Sequence, residues 1–322
     1  MVNSFSADVK EELSKEWSSA RHCQIAELAA LLGFCGTISY GSDGHIGLKI
    51  VTENLPVARK VFTLIKKTFN IVSEISIKKN HRRRSLSYLV VVYRQEEILR
   101  ILRATKLIRG LAHHVYEDGL VNPLVVRQRC CRRAFLRGSF LAAGSMSDPD
   151  KAYHFEIVCA SLPIANQIKE MMCSFGMDAK MINRKKSFVV YLKESAQIVD
   201  SLNIMEAHVA LMNLENIRIL KDMRNTVNRK VNCETANIHK TVSAAVRQVE
   251  DIMYLRETVG LETLPETLEE IAQVRLSYPD ATLKELGDYL TPQVGKSGVN
   301  HRLRKLSEIA EQTRQKFDST SP

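Results

Sequence analysis

The sequence has few of the residues that cross-link or punctuate small exported folds. Its 322 residues include 14 glycines, 8 prolines, 7 cysteines and a single tryptophan. So little glycine and proline excludes collagen-like and low-complexity chains. The cysteines fall at positions 23, 35, 130, 131, 159, 173 and 233, an odd number without a C-x-x-C pair. That spacing speaks against both a secreted disulfide framework and a zinc ribbon, so reduced, mostly buried thiols and no metal or cofactor are expected. Long apolar runs are missing too. The longest uncharged stretch, 28–42, has 15 residues and is broken by glycines, short of the roughly 20 that a spanning helix needs. Asp8, Lys10, Glu11 and Glu12 stand where a signal peptide would be apolar, so export is not expected and a cytoplasmic location without a membrane partner is.

Acid is also in short supply. Lys and Arg number 46 against 36 Asp and Glu, leaving +10 and a pI near 9.2. A surplus of that kind favours an acidic partner, either nucleic acid or an anionic membrane surface. At this length two domains are expected, three at most.

What the chain does contain is a repeat. Ile50-Val51 followed by Leu55-Pro56-Val57-Ala58 recurs as Ile157-Val158 followed by Leu162-Pro163-Ile164-Ala165. Each copy is a strand running into a helix with proline in its first turn. The apolar positions Val57, Val61, Leu64, Ile65 and Ile164, Ile168, Met171, Met172 then keep to one helical face. Two strands follow in each copy, 71–79 and 86–93, then 179–183 and 188–192, and a helix closes each, 96–107 and 194–204. The strand turns are basic: Arg82, Arg83 and Arg84 in the first copy, Arg184, Lys185 and Lys186 in the second.

A helix also opens each copy. Ala29/Gly33 and Ala134/Gly138 are small residues at i and i+4, a pattern that lets two helix backbones approach closely. Glycine inside a helix costs about 1 kcal/mol against alanine, so its presence needs a packing reason. Helix, two strands, helix, two strands, helix, doubled about such a pair, resembles the LAGLIDADG homing-endonuclease fold. In that family the last acid of each signature sits at the helix end and holds the divalent metal. Set by the glycines, the signatures are 31–39 and 136–144, and the acid positions fall on Ile38 and Ala143. Neither can ligate Mg²⁺, which demands oxygen donors. Asp43 and Asp148 lie further on in turn-like contexts and are the displaced acids that a metal-dependent nuclease, the rival reading, would use. No catalytic residue is expected.

Arg127, Arg129, Arg132, Arg133 and Arg137 fall close together without an acid. With Lys78, Lys79 and the basic turns they could line a concave sheet for a nucleic-acid backbone, or form solvated faces. Residues 212–257 read as a polar helical connector rich in Asn and Arg, with Val242, Val246, Val249, Ile252 and Met253 as an apolar set.

Three compact helices follow. Thr282 is placed to cap the second, and Ser297 the third. Val299, Leu303, Leu306 and Ala310 give the third an inward stripe, while Asn300, His301, Arg302, Arg304 and Lys305 take its other face. Asn and Arg suit adenine and guanine edges, cations suit phosphates, and Lys296, Ser297 and Gly298 at the helix start suit a phosphate approach. This is a helix-turn-helix pattern, although a plain three-helix bundle with a basic rim shares it. Gly295-Lys296-Ser297 imitates the end of a Walker A loop, but position 290 is leucine and no strand precedes it.

A saddle without its acids followed by 296–306 is similar to the WhiA family over nearly the whole chain, as are the opening 5–13 and the stretch 228–237. The resemblance implies a non-enzymatic bacterial DNA-binding regulator, tied to sporulation septation in actinomycetes and to cell division or chromosome segregation in other Gram-positives. It implies an α+β fold, a duplicated LAGLIDADG-like αββαββα saddle in 1–211 with repeats at about 24–107 and 129–205. An all-α helix-turn-helix domain would occupy 258–322. Double-stranded DNA is the expected partner. The alternative is a docking protein for the transcription machinery, with DNA secondary.

Overall fold

The computed structural model describes residues 4–40, 46–80, 85–107 and 121–318. The chain divides into two compact units, Met1–Asp222 and Met223–Pro322.

The first unit opens with α1 (Phe5–Lys15), capped by the Ser4 hydroxyl, which accepts from the Ala7 N–H. Two copies of one motif follow. The first runs α2 (Arg21–Cys35), β1 (Gly36–Tyr40), β2 (Ile46–Thr52), α3 (Leu55–Phe69), β3 (Glu74–Asn80), β4 (Ser85–Val92) and α4 (Gln95–Ala104). The second runs α5 (Arg129–Ala143), β5 (Gly144–Met146), β6 (Phe155–Cys159), α6 (Leu162–Cys173), β7 (Lys180–Arg184), β8 (Ser187–Leu192) and α7 (Ser195–Met205). Each copy builds a four-stranded antiparallel sheet of the same order, β1-β2-β4-β3 and β5-β6-β8-β7. This is the duplicated αββαββα saddle.

The strands alternate as a half-buried sheet must. In β2, Ile46, Leu48 and Ile50 are buried while Lys49 and Val51 are exposed. In β6, Phe155, Ile157 and Cys159 are buried while Val158 is exposed. The proline-started helices α3 and α6 lay Val57, Val61, Leu64, Ile65 and Ile168, Met171, Met172 into the same core.

Helices α2 and α5 are the centre of the unit, and nearly every residue in their middle turns is buried. They come into close contact at Gly138. A Cβ built there would lie 2.5 Å from the Glu27 carbonyl oxygen and 2.9 Å from the Ala30 Cβ. Gly33 plays no such part, since a Cβ there would meet nothing within 4 Å among the described residues. The close pair is therefore Gly138 against Ala30, one helical turn away from the glycine that the sequence pattern singles out.

Helix α8 (His208–Thr258) has 51 residues and runs through the division between the units. Its start is capped from a distance: the Glu12 carboxylate accepts from the Val209 and Ala210 N–H groups at 2.7 and 2.9 Å. The apolar set expected along it does not pack as one stripe. Ile252 is buried and Leu255 joins it, but Val242 and Val246 remain about half exposed.

In the second unit, α9 (Glu266–Ser277), α10 (Leu283–Asp288) and α11 (Lys296–Asp318) follow a short 3₁₀ turn, Leu261–Thr263. Leu268, Ile271, Leu286, Leu290, Val299, Leu303, Leu306 and Ala310 form its core with Ile252 and Leu255. Among the described residues no helix is long and apolar enough to cross a membrane.

Candidate nucleic-acid interface

The helix-turn-helix is positioned by backbone details. Thr282 caps α10 in a reciprocal box: its hydroxyl accepts from the Glu285 N–H, and the Glu285 carboxylate accepts from the Thr282 N–H at 2.7 Å. The Thr282 N–H bond to the carboxylate, with a lesser contribution from the Thr282 side chain, holds the Glu285 carboxyl below its ordinary value. The turn into α11 then crosses directly over Gly287. The Val294 N–H donates to the Gly287 carbonyl at 3.1 Å, and a Cβ at Gly287 would lie 2.0 Å from the Val294 carbonyl oxygen. Only glycine fits there. Glu270 on α9 fastens the same turn, accepting from the Thr291 N–H at 2.8 Å.

Helix α11 begins at Lys296, one residue before the expected cap. The Gly295 carbonyl accepts the first bonds, from Gly298 and Val299, so Ser297 lies inside the first turn. Val299, Leu303, Leu306 and Ala310 are buried as the pattern requires, and Lys296, Ser297, Asn300, His301, Arg304 and Lys305 are exposed. Gly298 is half-buried. Arg302 departs from its expected role. Its guanidinium turns back to α9, 3.6 Å from the Glu270 carboxylate and 3.4 Å from the Thr267 carbonyl. Arg304 makes an exposed i,i+4 pair with Glu308 at 3.1 Å, worth a few tenths of a kcal/mol and easily exchanged for another anion.

The saddle is less basic than its sequence suggests. Arg137 is buried between the paired helices, its fork on the Glu27 carboxylate at 3.1 Å from both Nε and Nη2. It also bonds Glu206, and Ser18 at 2.7 Å. Arg133 donates to the Ile204 and Asn203 carbonyls and pairs with Glu206. Arg132 donates to the Val126 carbonyl at 3.1 Å. These groups are already committed to protein partners. Arg127 and Arg129 are exposed, with Arg129 over the Phe175 ring at 5.4 Å. They stand at the start of α5, about 20 Å of helix from the strand at its other end, so this cluster does not line the sheet.

On the sheets themselves, Lys78 and Lys79 are exposed neighbours on one strand and so point to opposite faces. Lys78 shares the face turned from the helices with Lys49, by register through β4. In the second sheet the place of Lys49 is taken by Glu156. His154, Ser145 and Arg184 surround it at 3.1, 3.0 and 3.7 Å. Burial raises the Glu156 carboxyl, but the bonds from His154 and Ser145 outweigh it and hold the group below its ordinary value. Arg184 is thus partly neutralised. Lys185 and Lys186 are exposed at the hairpin turn, Lys185 with φ of 56°. Arg82, Arg83 and Arg84 lie outside the described residues.

The helix ends revise the signature register. Helices α2 and α5 each have 15 residues, and each ends on a glycine, Gly36 or Gly144, whose N–H returns to Leu32 or Phe140. Aligned by those ends, residues 28–36 match 136–144, and the acid position falls on Cys35 rather than Ile38. Ile38 lies in β1, paired with Leu48. Ala143 keeps its place. Neither Cys35 nor Ala143 offers an oxygen side chain to a divalent metal. Asp148 sits in an exposed turn, its carboxylate accepting from the Asp150 N–H at 3.0 Å, and Asp43 lies outside the described residues.

One constellation escaped the sequence entirely. The donor atoms of His22, Cys23, Cys130 and Cys131 gather where α2 and α5 begin, all within 4.8 Å of one another. Three of the seven thiols thus come together, and Cys130, Cys173 and Cys233 are exposed rather than buried; this is the group among the described residues that could hold a soft metal.

A doubled αββαββα saddle lacking carboxylates at its two signature helix ends, joined to a helix-turn-helix domain, defines a degenerate LAGLIDADG-like protein with a DNA-binding module. Family models agree in detail: the WhiA N-terminal LAGLIDADG-like domain matches residues 21–108, the WhiA LAGLIDADG-like domain 132–224, and the WhiA C-terminal HTH domain 227–310. The chain is 56% identical over 315 residues to a probable cell division protein WhiA of Lachnoclostridium phytofermentans, covering 97% of this chain and 100% of that one. It is 52% identical to the protein of that name from Alkaliphilus oremlandii, covering 95% and 97%. The crystal structure of full-length DUF199/WhiA from Thermatoga maritima shares the fold, with a TM-score of 0.58 at 24% identity, covering 96% and 99%. The chain belongs to the WhiA family.

Proposed function

We propose that this chain is a non-enzymatic DNA-binding regulator acting in cell division, as the names of its relatives suggest, with α11 as the helix that enters the major groove. The observation that carries this is the partition of α11. Val299, Leu303, Leu306 and Ala310 are buried, while Lys296, Ser297, Asn300, His301, Arg304 and Lys305 stand in solvent. Asn300 and His301 offer groups for base edges, and Lys296, Arg304 and Lys305 offer charge for phosphates. Thr282, at the start of α10, is placed for a further backbone contact. The saddle supplies sequence-independent affinity through Lys49, Lys78, Lys185 and Lys186, or holds a protein partner.

Titration of duplex DNA against salt tests the electrostatic part. If about six cations meet phosphates, the log–log slope of affinity on salt is about −5, and Lys305→Ala makes it shallower by about one while weakening all duplexes alike. Salt-insensitive binding, or a Lys305→Ala protein with an unchanged slope, sinks α11 as the groove element.

A further inference from the structure

Duplication has given the paired helices one feature that a DNA-binding role does not use. Helix α2 begins Arg21-His22-Cys23 and α5 begins Arg129-Cys130-Cys131, so each copy contributes two adjacent donors from the same helical turn. His22 Nδ1 lies 3.2 Å from Cys131 Sγ and 3.3 Å from Cys23 Sγ, and all four donor atoms fall within 4.8 Å of one another. A zinc ion with Zn–S of about 2.3 Å and Zn–N of about 2.0 Å needs donors about 3.5–3.8 Å apart at the corners of a tetrahedron. The present spacing requires only small side-chain adjustments.

The chemistry of the donor set narrows the ligand. Three thiols and one imidazole are soft and borderline donors with no oxygen among them, which disfavours Mg²⁺ and Ca²⁺ and favours zinc in a closed structural site. The electrostatics suit it as well. On binding, the three thiols release their protons to solvent, His22 gives a ring-nitrogen lone pair, and the site carries one net negative charge. Two helix N-termini meet at that point, neither with an acidic residue in its first turn or a side-chain cap, and Arg21 and Arg129 lead them. Burial raises the Cys23 and Cys131 thiols, while the exposed N–H groups and positive helix ends act the other way and favour the thiolates that a metal would bind. Cys23 and Cys131 are buried while His22 and Cys130 reach solvent, so an ion has a way in and a rigid floor to sit on.

We infer that His22, Cys23, Cys130 and Cys131 form a Cys₃His zinc site that staples the two copies of the saddle together at the start of their paired helices. The staple closes the end of the helix pair opposite Gly36 and Gly144, with Gly138 and Glu27 between.

The full chain, purified under reductant and without a metal-affinity tag, tests this by metal analysis and by titration with Co²⁺. About one zinc per chain is expected, replaceable by Co²⁺ with the visible and thiolate charge-transfer bands of a tetrahedral sulfur site. Cys130→Ser and His22→Ala, both at exposed positions, should each abolish the charge-transfer pattern or reduce it to a weak, altered one. Cys173→Ser, an exposed thiol outside the cluster, should leave it intact. A zinc-loaded chain should also lose thermal stability on chelation and regain it with zinc. Three results overturn the proposal: a metal-free chain that gives no tetrahedral cobalt spectrum, a spectrum unchanged in both Cys130→Ser and His22→Ala, or a disulfide between two of the three cysteines that persists under reductant.

Discussion

Glu27 and Arg137 meet in a bidentate ion pair at 3.1 Å, both side chains 1% exposed, across the contact between α2 and α5. Lys60 of α3 comes within 3.1 Å of the same carboxylate. Glu27 therefore faces two buried cations, with the part-exposed Glu206 as a second anion for Arg137. Burial pushes the Lys60 ammonium down, and Glu27 is the main group opposing that shift. Removing one partner of a buried pair leaves an uncompensated charge, which costs about 3–5 kcal/mol, while a well-packed apolar replacement of the whole pair is often neutral. Glu27→Gln should therefore destabilise the first unit by that amount. Arg137→Met should cost less, because Lys60 still neutralises Glu27. Urea unfolding of both variants checks the order, and a Glu27→Gln cost below about 1 kcal/mol rules the network out as a fastening.

The two helical glycines make opposite predictions. Gly138→Ala places a methyl 2.5 Å from the Glu27 carbonyl oxygen, inside van der Waals contact with a backbone that cannot turn aside. It should cost about 2 kcal/mol or more despite the better helix propensity of alanine. Gly33→Ala meets nothing within 4 Å and should stabilise by about 0.5–1 kcal/mol. Thermal melts of the two single variants decide it, and equal effects would show that the helices approach elsewhere.

The helical glycines separate the local features of this fold from the non-local ones. The repeat, its proline-started helices and its strand pairs follow from periodicity and turn chemistry, both written within ten or so neighbouring residues. The register of α2 on α5 is not local. A register set by Gly33 displaces one copy by a helical turn, because a helix crossing accepts alanine or glycine and Ala30 holds the position facing Gly138. The helix-to-strand glycines, Gly36 and Gly144, were the better anchor, since their place is fixed by where the helix must stop. Arg137 read as surface charge for a similar reason. A usable signal was present: Glu27 is the one acid in an apolar helix stretch and Arg137 sits among Phe135, Leu136 and Phe140, two charges that burial forces to find each other. The thiol–imidazole cluster carries no such signal. Its pairs of adjacent donors are joined only by the pseudo-symmetry of the fold, so spacing rules for metal sites do not see them.

On α11, sequence grouped residues that the structure separates. Arg302 is tied to Glu270 and the Thr267 carbonyl, and Glu270 also holds the Thr291 N–H in the turn that aims the helix. Asn300 is exposed on the neighbouring face. Arg302→Ala should therefore lower the stability of the second unit by about 0.5–1.5 kcal/mol, the range for a half-buried bonded pair. It should weaken cognate and random duplexes by the same small factor. Asn300→Ala should leave the melting temperature unchanged yet cost about 1–3 kcal/mol on the preferred duplex alone, the value of a bidentate base contact. Competition binding with a selected and a scrambled duplex, paired with melts of each variant, separates the two roles. If Arg302→Ala instead relaxes sequence preference at unchanged stability, its guanidinium leaves Glu270 for a base on binding, and the turn held by Glu270 does not set the angle of the helix.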